Sequence, residues 1–146
     1  AMSGGVDSSV AAAMMSKDNK NVIGITLKLY DEKKITKSKT CCAGSDIIDA
    51  KRIASTINIP HYVLDYEAIF REKVIDPFIA EYKAGRTPIP CINCNEKVKF
   101  LDLINFARKI GASSLVTGHY IKKIKTGDEW GLYILKKMKL EILQEI

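Results

Sequence analysis

Short apolar segments rich in β-branched residues alternate along the chain with longer segments of helical periodicity. The apolar segments at 21–30, 61–66 and 113–120 lack a helical period and predict strands. Strands that alternate with helices are typical of a parallel sheet covered on both faces. The sequence therefore predicts a doubly wound α/β domain, a fold that binds ligands at the carboxyl ends of its strands. Helices are expected at 9–16, 46–57, 67–84 and 96–110.

The end of the chain has a different pattern. The segments YIKKIK and WGLYILKK flank Thr126, Gly127 and Asp128, and this arrangement predicts a β-hairpin. The last residues, MKLEILQEI, have a helical composition. We expect residues 1–137 to form one domain that lacks its first strand, followed by a helical tail at 138–146.

Composition excludes few classes of protein. The 146 residues carry 23 Lys and Arg against 17 Asp and Glu, a net charge of +6, which mildly favours anionic partners. No apolar run approaches the length of a membrane span, so no membrane partner is expected. Four cysteines without a secretory signal indicate a reducing, cytoplasmic location, where cysteines serve as metal ligands or reactive thiols.

A glycine-rich loop, SGGVDSS at 3–9, comes directly before the first predicted helix. Its two glycines let the backbone turn tightly, and the helix that follows directs its unpaired N–H groups at the loop. This combination predicts a phosphate-binding site. Asp7 repels phosphate unless Mg²⁺ lies between them, so the loop indicates a metal–pyrophosphate pair. We expect this loop, the end of the 21–30 strand and residues 117–119 to meet in one crevice.

The complete loop resembles the PP-loop of ATP pyrophosphatases, which cleave ATP to AMP and pyrophosphate. It lacks the Lys-Ser/Thr ending of the common P-loop and the spacing of the dinucleotide fingerprint. The resemblance implies a Rossmann-like sheet of the adenine nucleotide alpha hydrolase type, with ATP and Mg²⁺ as the bound cofactors.

The four cysteines leave several interpretations open. Cys91 and Cys94 have the spacing of half a zinc site, and the adjacent pair Cys41 and Cys42 supplies two further thiols. An iron–sulfur cluster is a second interpretation. Adjacent cysteines seldom ligate one ion because their side chains point apart, so plain burial is favoured for the 41–42 pair.

Four motifs in order, SGGVDSS, CC, GRTPIPCINCNEKVKF and TGHY, resemble the N-terminal part of tRNA-specific 2-thiouridylases. This family adenylates O2 of uridine 34 in tRNA and then replaces that oxygen with sulfur, which a partner protein delivers as a persulfide. The resemblance implies that Cys94 is the nucleophile and that Cys91 lies beside the target base. It also implies a second catalytic cysteine and RNA-binding domains outside this chain.

The remaining candidate residues follow partly from their chemistry and partly from the resemblance. Asp7 is expected to hold Mg²⁺ through pyrophosphate. Lys97 and Lys99 have three open interpretations: they lower the pKa of Cys94, contact tRNA phosphates, or are plain solvated residues at a helix start. His61 has no motif around it and is expected to be structural. The residues expected to bind ATP are Ala1, Met2, Ser3, Gly4, Gly5, Val6, Asp7, Ser8, Leu27 and Gly118. Those expected to contact tRNA are Ile89, Pro90, Cys91 and His119.

The sequence departs from the family pattern at Ile89, where an Asn is usual, and this removes a hydrogen-bonding side chain from the loop. The Lys-Asp-Gln segment expected soon after the hairpin is also absent. Two other functions stay open at this stage: a different PP-loop ligase, amidotransferase or iron–sulfur thiolase, and a non-catalytic zinc-containing RNA-binding module.

Overall fold

The computed structural model describes residues 1–17, 21–30, 44–127, 129–134 and 142–145. Helical and extended segments alternate as predicted. Cys41, Cys42 and the predicted loop at 31–40 lie outside the described residues. The helices are α1 Val6–Lys17, α2 Gly44–Thr56, α3 Glu67–Phe70, α4 Asp76–Lys83, α5 Pro90–Asn93 and α6 Leu103–Lys109, with wide π-type turns π1 Arg71–Ile75 and π2 Cys94–Asp102. The strands are β1 Gly24–Lys28, β2 His61–Asp65, β3 Ser114–Val116, β4 Ile121–Thr126, β5 Glu129–Ile134 and β6 Ile142–Glu145.

The first two residues of the chain join two strand pairs. Strand β1 pairs in parallel with β2, and β3 pairs antiparallel with β6. The backbone N–H of Met2 donates to the carbonyl of Ile25 in β1 at 2.8 Å, and the nitrogen of Ala1 donates to Val116 in β3 at 2.7 Å. Residues 1 and 2 therefore run between β1 and β3, which places the glycine loop at the ends of both strands.

The two faces of β1 pack against different groups of helices. On one face, Ile25, Leu27 and Leu29 join a large hydrophobic cluster. On the other, Gly24 and Thr26 face Met2, which packs in a small cluster with alanines of α1 and α2. The large cluster also contains Phe70, Val74, Cys94, Val98, Leu103 and Leu115, which come from the helical segments 67–83 and 90–109 and from β3. Helices thus cover both faces of the strand, as the alternating pattern predicted.

A buried hydroxyl connects β1, β2 and the start of the glycine loop. Thr26 is only 1% exposed, and its Oγ1 donates to the carbonyl of Met2 at 2.8 Å. Because that hydroxyl hydrogen is used, the contact of 2.8 Å between Thr26 Oγ1 and His61 Nε2 requires an N–H on the imidazole. Burial, followed by repulsion from Lys51, lowers the pKa of His61. The structural role predicted for His61 is consistent with this bond.

Two helical segments depart from regular α geometry. Proline lacks an N–H, so Pro77 cannot bond to the carbonyl of Lys73 four residues earlier, and π1 lies directly before it. The segment predicted as one helix at 67–84 therefore contains a wide turn before Pro77 and continues as α4. The Nζ of Lys73 joins this segment to π2, because it contacts both carboxylate oxygens of Asp102 at 2.8 Å.

The predicted β-hairpin is present, formed by β4 and β5. Gly111 ends α6 with a φ of +76°, and the hairpin of β4 and β5 turns at Gly127. The prediction of a helical tail is wrong for Ile142–Glu145, which form a strand, because these residues can complete the backbone hydrogen bonds of β3. No helix among the described residues is long and apolar enough to cross a membrane.

Replacing Thr26 with Val should destabilise the protein by about 1–2 kcal/mol, because the isosteric side chain leaves the Met2 carbonyl and His61 without their partner. Chemical denaturation measures this change in the free energy of unfolding. Thr56→Val is the matched control, since the exposed Thr56 hydroxyl donates only within α2, to Arg52, and should cost less than about 0.5 kcal/mol. Equal losses in the two variants would contradict a connecting role for Thr26.

Candidate active site

The glycine loop, residues 3–9, turns tightly against the beginning of α2. Gly4 has a φ of +79°, a conformation that residues with a Cβ rarely adopt. A Cβ at this position would also overlap the carbonyl oxygen of Asp46. Helix α1 begins two residues later, at Val6, and its first turn lies at the tip of the loop. Ser3, Gly5 and Val6 are exposed there, so the backbone at the tip is accessible to a ligand.

The serines of the loop hold its conformation. Ser8 is buried, and its hydroxyl donates to the carbonyl of Gly5 at 3.0 Å while it accepts the N–H of Ser3 at 3.2 Å. The hydroxyl of Ser9 also donates to the Gly5 carbonyl, at 2.7 Å. Both hydroxyls are thus directed at the backbone of the loop itself. In this conformation they close the loop, and the exposed loop backbone is the part available to a phosphate.

The TGHY segment, residues 117–120, packs directly on the glycine loop. A Cβ on Gly118 would lie 2.5 Å from the carbonyl carbon of Asp7 and 2.5 Å from the nitrogen of Ser8, so only glycine fits. Thr117 Oγ1 contacts His119 Nδ1 at 2.9 Å, which fixes the imidazole. The structure thus brings together the loop and residues 117–119, as expected from the sequence.

Tyr120 adds a second attachment between the same two segments. Its hydroxyl donates to Oδ1 of Asp7 at 2.6 Å, although the residues are 113 positions apart in sequence. This hydrogen bond to a carboxylate, with smaller contributions from burial and from the charge of Asp7, raises the pKa of Tyr120. No local sequence signal indicates a role for Tyr120, because only the fold brings its hydroxyl to Asp7.

Three more of the predicted ATP-binding residues lie outside the glycine loop. Ala1 and Met2 run between β1 and β3, and the Met2 side chain is buried. The Leu27 side chain packs in the large cluster. Its predicted contact with an adenine ring stays a prediction.

The two described cysteines have different surroundings. Cys94, the first residue of π2, is 9% exposed and packs in the same cluster as Leu27. Cys91 is exposed in the short helix α5. Before it, Pro90 occupies the first turn of α5, and the Ile89 side chain is 62% exposed. The loop therefore presents Ile89 and Cys91 to solvent while it directs Cys94 inward.

The zinc and iron–sulfur interpretations can be compared with the structure only for the described residues. Among the described residues, no three His, Cys, Asp or Glu side chains are grouped closely enough to hold a metal ion. Lys97 and Lys99 are exposed on π2.

Comparison with known proteins gives a consistent result. The family model described as tRNA methyl transferase HUP domain matches residues 1–141, and this match confirms the predicted fold class. The chain is 58% identical over 129 residues to the tRNA-specific 2-thiouridylase MnmA of Rickettsia akari (strain Hartford), covering 88% of this chain and 35% of that protein. It is 54% identical over 134 residues to the protein of the same name from Brucella suis (strain ATCC 23445 / NCTC 10510), covering 91% of this chain and 34% of that protein.

The chain thus spans about a third of the length of these curated relatives. The solved structure of NMN synthetase from Francisella tularensis aligns with 76% of this chain and 40% of its own, at a TM-score of 0.49 and 20% sequence identity.

Replacing Gly118 with Ala should destabilise the protein by about 1–3 kcal/mol, because the new methyl group forces the backbone of the TGHY segment away from Asp7 and Ser8. Denaturant unfolding measures the loss. Gly5→Ala is the matched control, since its Cβ would meet only Ser3 Oγ, at 3.5 Å. A Gly118 variant as stable as the Gly5 variant would show that the two segments are not in contact in solution.

Proposed function

The chain belongs to the tRNA methyl transferase HUP domain family, and from this premise we propose that it is the ATP-using part of a tRNA 2-thiouridylase. Relatives that carry this name match nine-tenths of the chain at more than half identity, which supports sulfur transfer as the reaction rather than methylation. The substrate is uridine 34 of tRNA. The sulfur donor is a protein persulfide, and the proposed location is the cytoplasm.

Three features of the glycine loop and its surroundings fit a nucleoside triphosphate. The exposed backbone of Gly5 and Val6 lies at the start of a twelve-residue helix, where N–H groups and the helix dipole favour phosphate. The serine hydroxyls keep this backbone in place. Gly118 borders the loop without a side chain, so it leaves room for the nucleotide. When bound, ATP supplies the adenylyl group that makes the uridine oxygen a leaving group.

The position of Asp7 fits a magnesium ion held between the protein and the phosphates. Magnesium is usually bound by one or two carboxylates together with phosphate oxygens and water. Asp7 provides one carboxylate in the first turn of α1, beside the exposed tip of the loop. Its carboxylate can accept the hydrogen bond from Tyr120 and still offer lone pairs to a cation.

One observation carries the proposal: Cys94 and Leu27 belong to the same hydrophobic cluster. Leu27 is near the carboxyl end of β1, the strand to which Met2 bonds just before the glycine loop. The thiol therefore packs in the same cluster as the strand that leads to the proposed nucleotide site. A sulfur nucleophile and an adenylated oxygen must meet there for thiolation to occur.

The surface around the thiol fits an RNA substrate. Ile89 and Cys91 are exposed on the α5 loop, where an apolar side chain can contact an unstacked base. The exposed Lys97 and Lys99 on π2 can neutralise phosphates. We assign the tRNA contacts to Ile89, Pro90, Cys91 and His119, and the nucleophilic thiol to Cys94.

The different surroundings of the two thiols argue for this function over a zinc-containing RNA-binding module. Both ligands of a Cys-x-x-Cys half-site must face one ion. Cys94 packs in the core while Cys91 faces solvent, an arrangement suited to one protected thiol and one surface residue.

Replacing Cys94 with Ser should reduce 2-thiouridine formation by at least about a hundredfold, because serine oxygen cannot carry or release sulfur. Pyrophosphate release that depends on tRNA and ATP should persist, since adenylation does not use the thiol. Both products are measured in one reaction of the complete protein with tRNA, ATP and a persulfide donor. Cys91→Ser is the matched control and should retain thiolation within about threefold.

Two outcomes would contradict the proposal. Normal thiolation by the Cys94 variant would make this cysteine structural. Loss of thiolation in both cysteine variants, together with loss of stoichiometric zinc, would favour the zinc-containing module instead.

A further inference from the structure

The hydrogen bond between Tyr120 and Asp7 affects how the Asp7 carboxylate is oriented toward a cation. Asp7 belongs to the first turn of α1, and Tyr120 directly precedes β4, so the two residues belong to different parts of the fold. Their side chains meet at 2.6 Å, within the short range of hydrogen bonds between a hydroxyl and a carboxylate. The bond occupies Oδ1 and so fixes the direction of the whole carboxylate group.

An aspartate at an exposed loop tip has several accessible rotamers, and a cation selects one of them. A carboxylate held by a neutral donor before the cation arrives does not pay this ordering cost during binding. Gly118 packs on the Asp7 backbone, so main chain and side chain are both held by the TGHY segment. This segment therefore controls where the negative charge of the loop points.

We propose that Tyr120 is a positioning residue that holds the Asp7 carboxylate ready to receive the magnesium ion of Mg·ATP. The inference rests on the proposed function. Tyr120 acts only through Asp7 and does not touch the nucleotide. It should therefore strengthen the binding of Mg·ATP and leave the binding of metal-free ATP unchanged.

The chemistry of Tyr120 and Asp7 supports an effect on the binding of Mg·ATP that is absent for metal-free ATP. The phenol is neutral and donates one hydrogen bond, so it keeps the full negative charge on Asp7 for the cation. A lysine in the same place would neutralise that charge and compete with the metal. The tyrosine ring is 41% exposed, which places the bond at the edge of the site rather than in the core.

The test measures equilibrium binding of ATP to the complete protein by calorimetry, once with excess Mg²⁺ and once with EDTA. Tyr120→Phe keeps the ring and removes the hydroxyl. We expect it to weaken Mg·ATP binding by about threefold to tenfold and to leave binding in EDTA unchanged. Tyr62→Phe is the matched control, because Tyr62 is an exposed tyrosine of β2, 57% accessible, and should bind as the unmodified protein does.

A double-mutant cycle with Asp7→Asn decides whether Tyr120 acts through Asp7. In the Asp7→Asn background, Tyr120→Phe should have no further effect on Mg·ATP binding. Additive losses, or an equal loss in Mg²⁺ and in EDTA, would overturn the inference and make Tyr120 a part of the loop scaffold. Unchanged Mg·ATP binding in Tyr120→Phe would also overturn it. Failure of the unmodified protein to bind ATP would instead reject the proposed function.

Discussion

The backbone of Gly118 lies against the peptide that joins Asp7 to Ser8, and no side chain fits between them. This contact sets the position of the glycine loop relative to β3, because Gly118 follows that strand by two residues. It also sets the position of Tyr120, whose hydroxyl reaches Asp7 only when the TGHY segment lies this close. The proposed nucleotide site is therefore built from two distant parts of the chain, which the Gly118 backbone contact and the Tyr120–Asp7 hydrogen bond hold together.

Hydrogen bonds within the protein also hold the glycine loop in place. Thr26 donates to the carbonyl of Met2, and the Ser8 hydroxyl closes the turn onto Gly5. Polar groups that are bonded inside the protein have little freedom to rearrange, so the loop backbone is ordered before a nucleotide arrives. Order of this kind lowers the entropy that binding must otherwise remove. The serines thus contribute to phosphate binding by fixing the backbone.

The alternation of strands and helices, the hairpin and the glycine at the end of α6 were predictable because local residue preferences determine them. Two features were not. The strand at Ile142–Glu145 depends on an available partner in β3. The bond of Tyr120 to Asp7 joins residues 113 positions apart, and no local pattern encodes such a contact.

The site residues also divide into those that a sequence motif identifies and those whose surroundings depend on the fold. Motifs in the sequence identified the glycine loop, Gly118 and the cysteine loop, because each motif is short and specific. They did not indicate that Cys94 is buried while Cys91 is exposed, since that difference depends on which side of α5 and π2 meets the core.

Burial keeps a thiol away from water and oxidants, but a buried thiol reacts only if the substrate or a local movement brings the reacting atom to it. Sulfur transfer in the proposed reaction therefore requires access to a thiol that packs in the core, whereas the proposed nucleotide site lies on a loop whose backbone contacts Gly118.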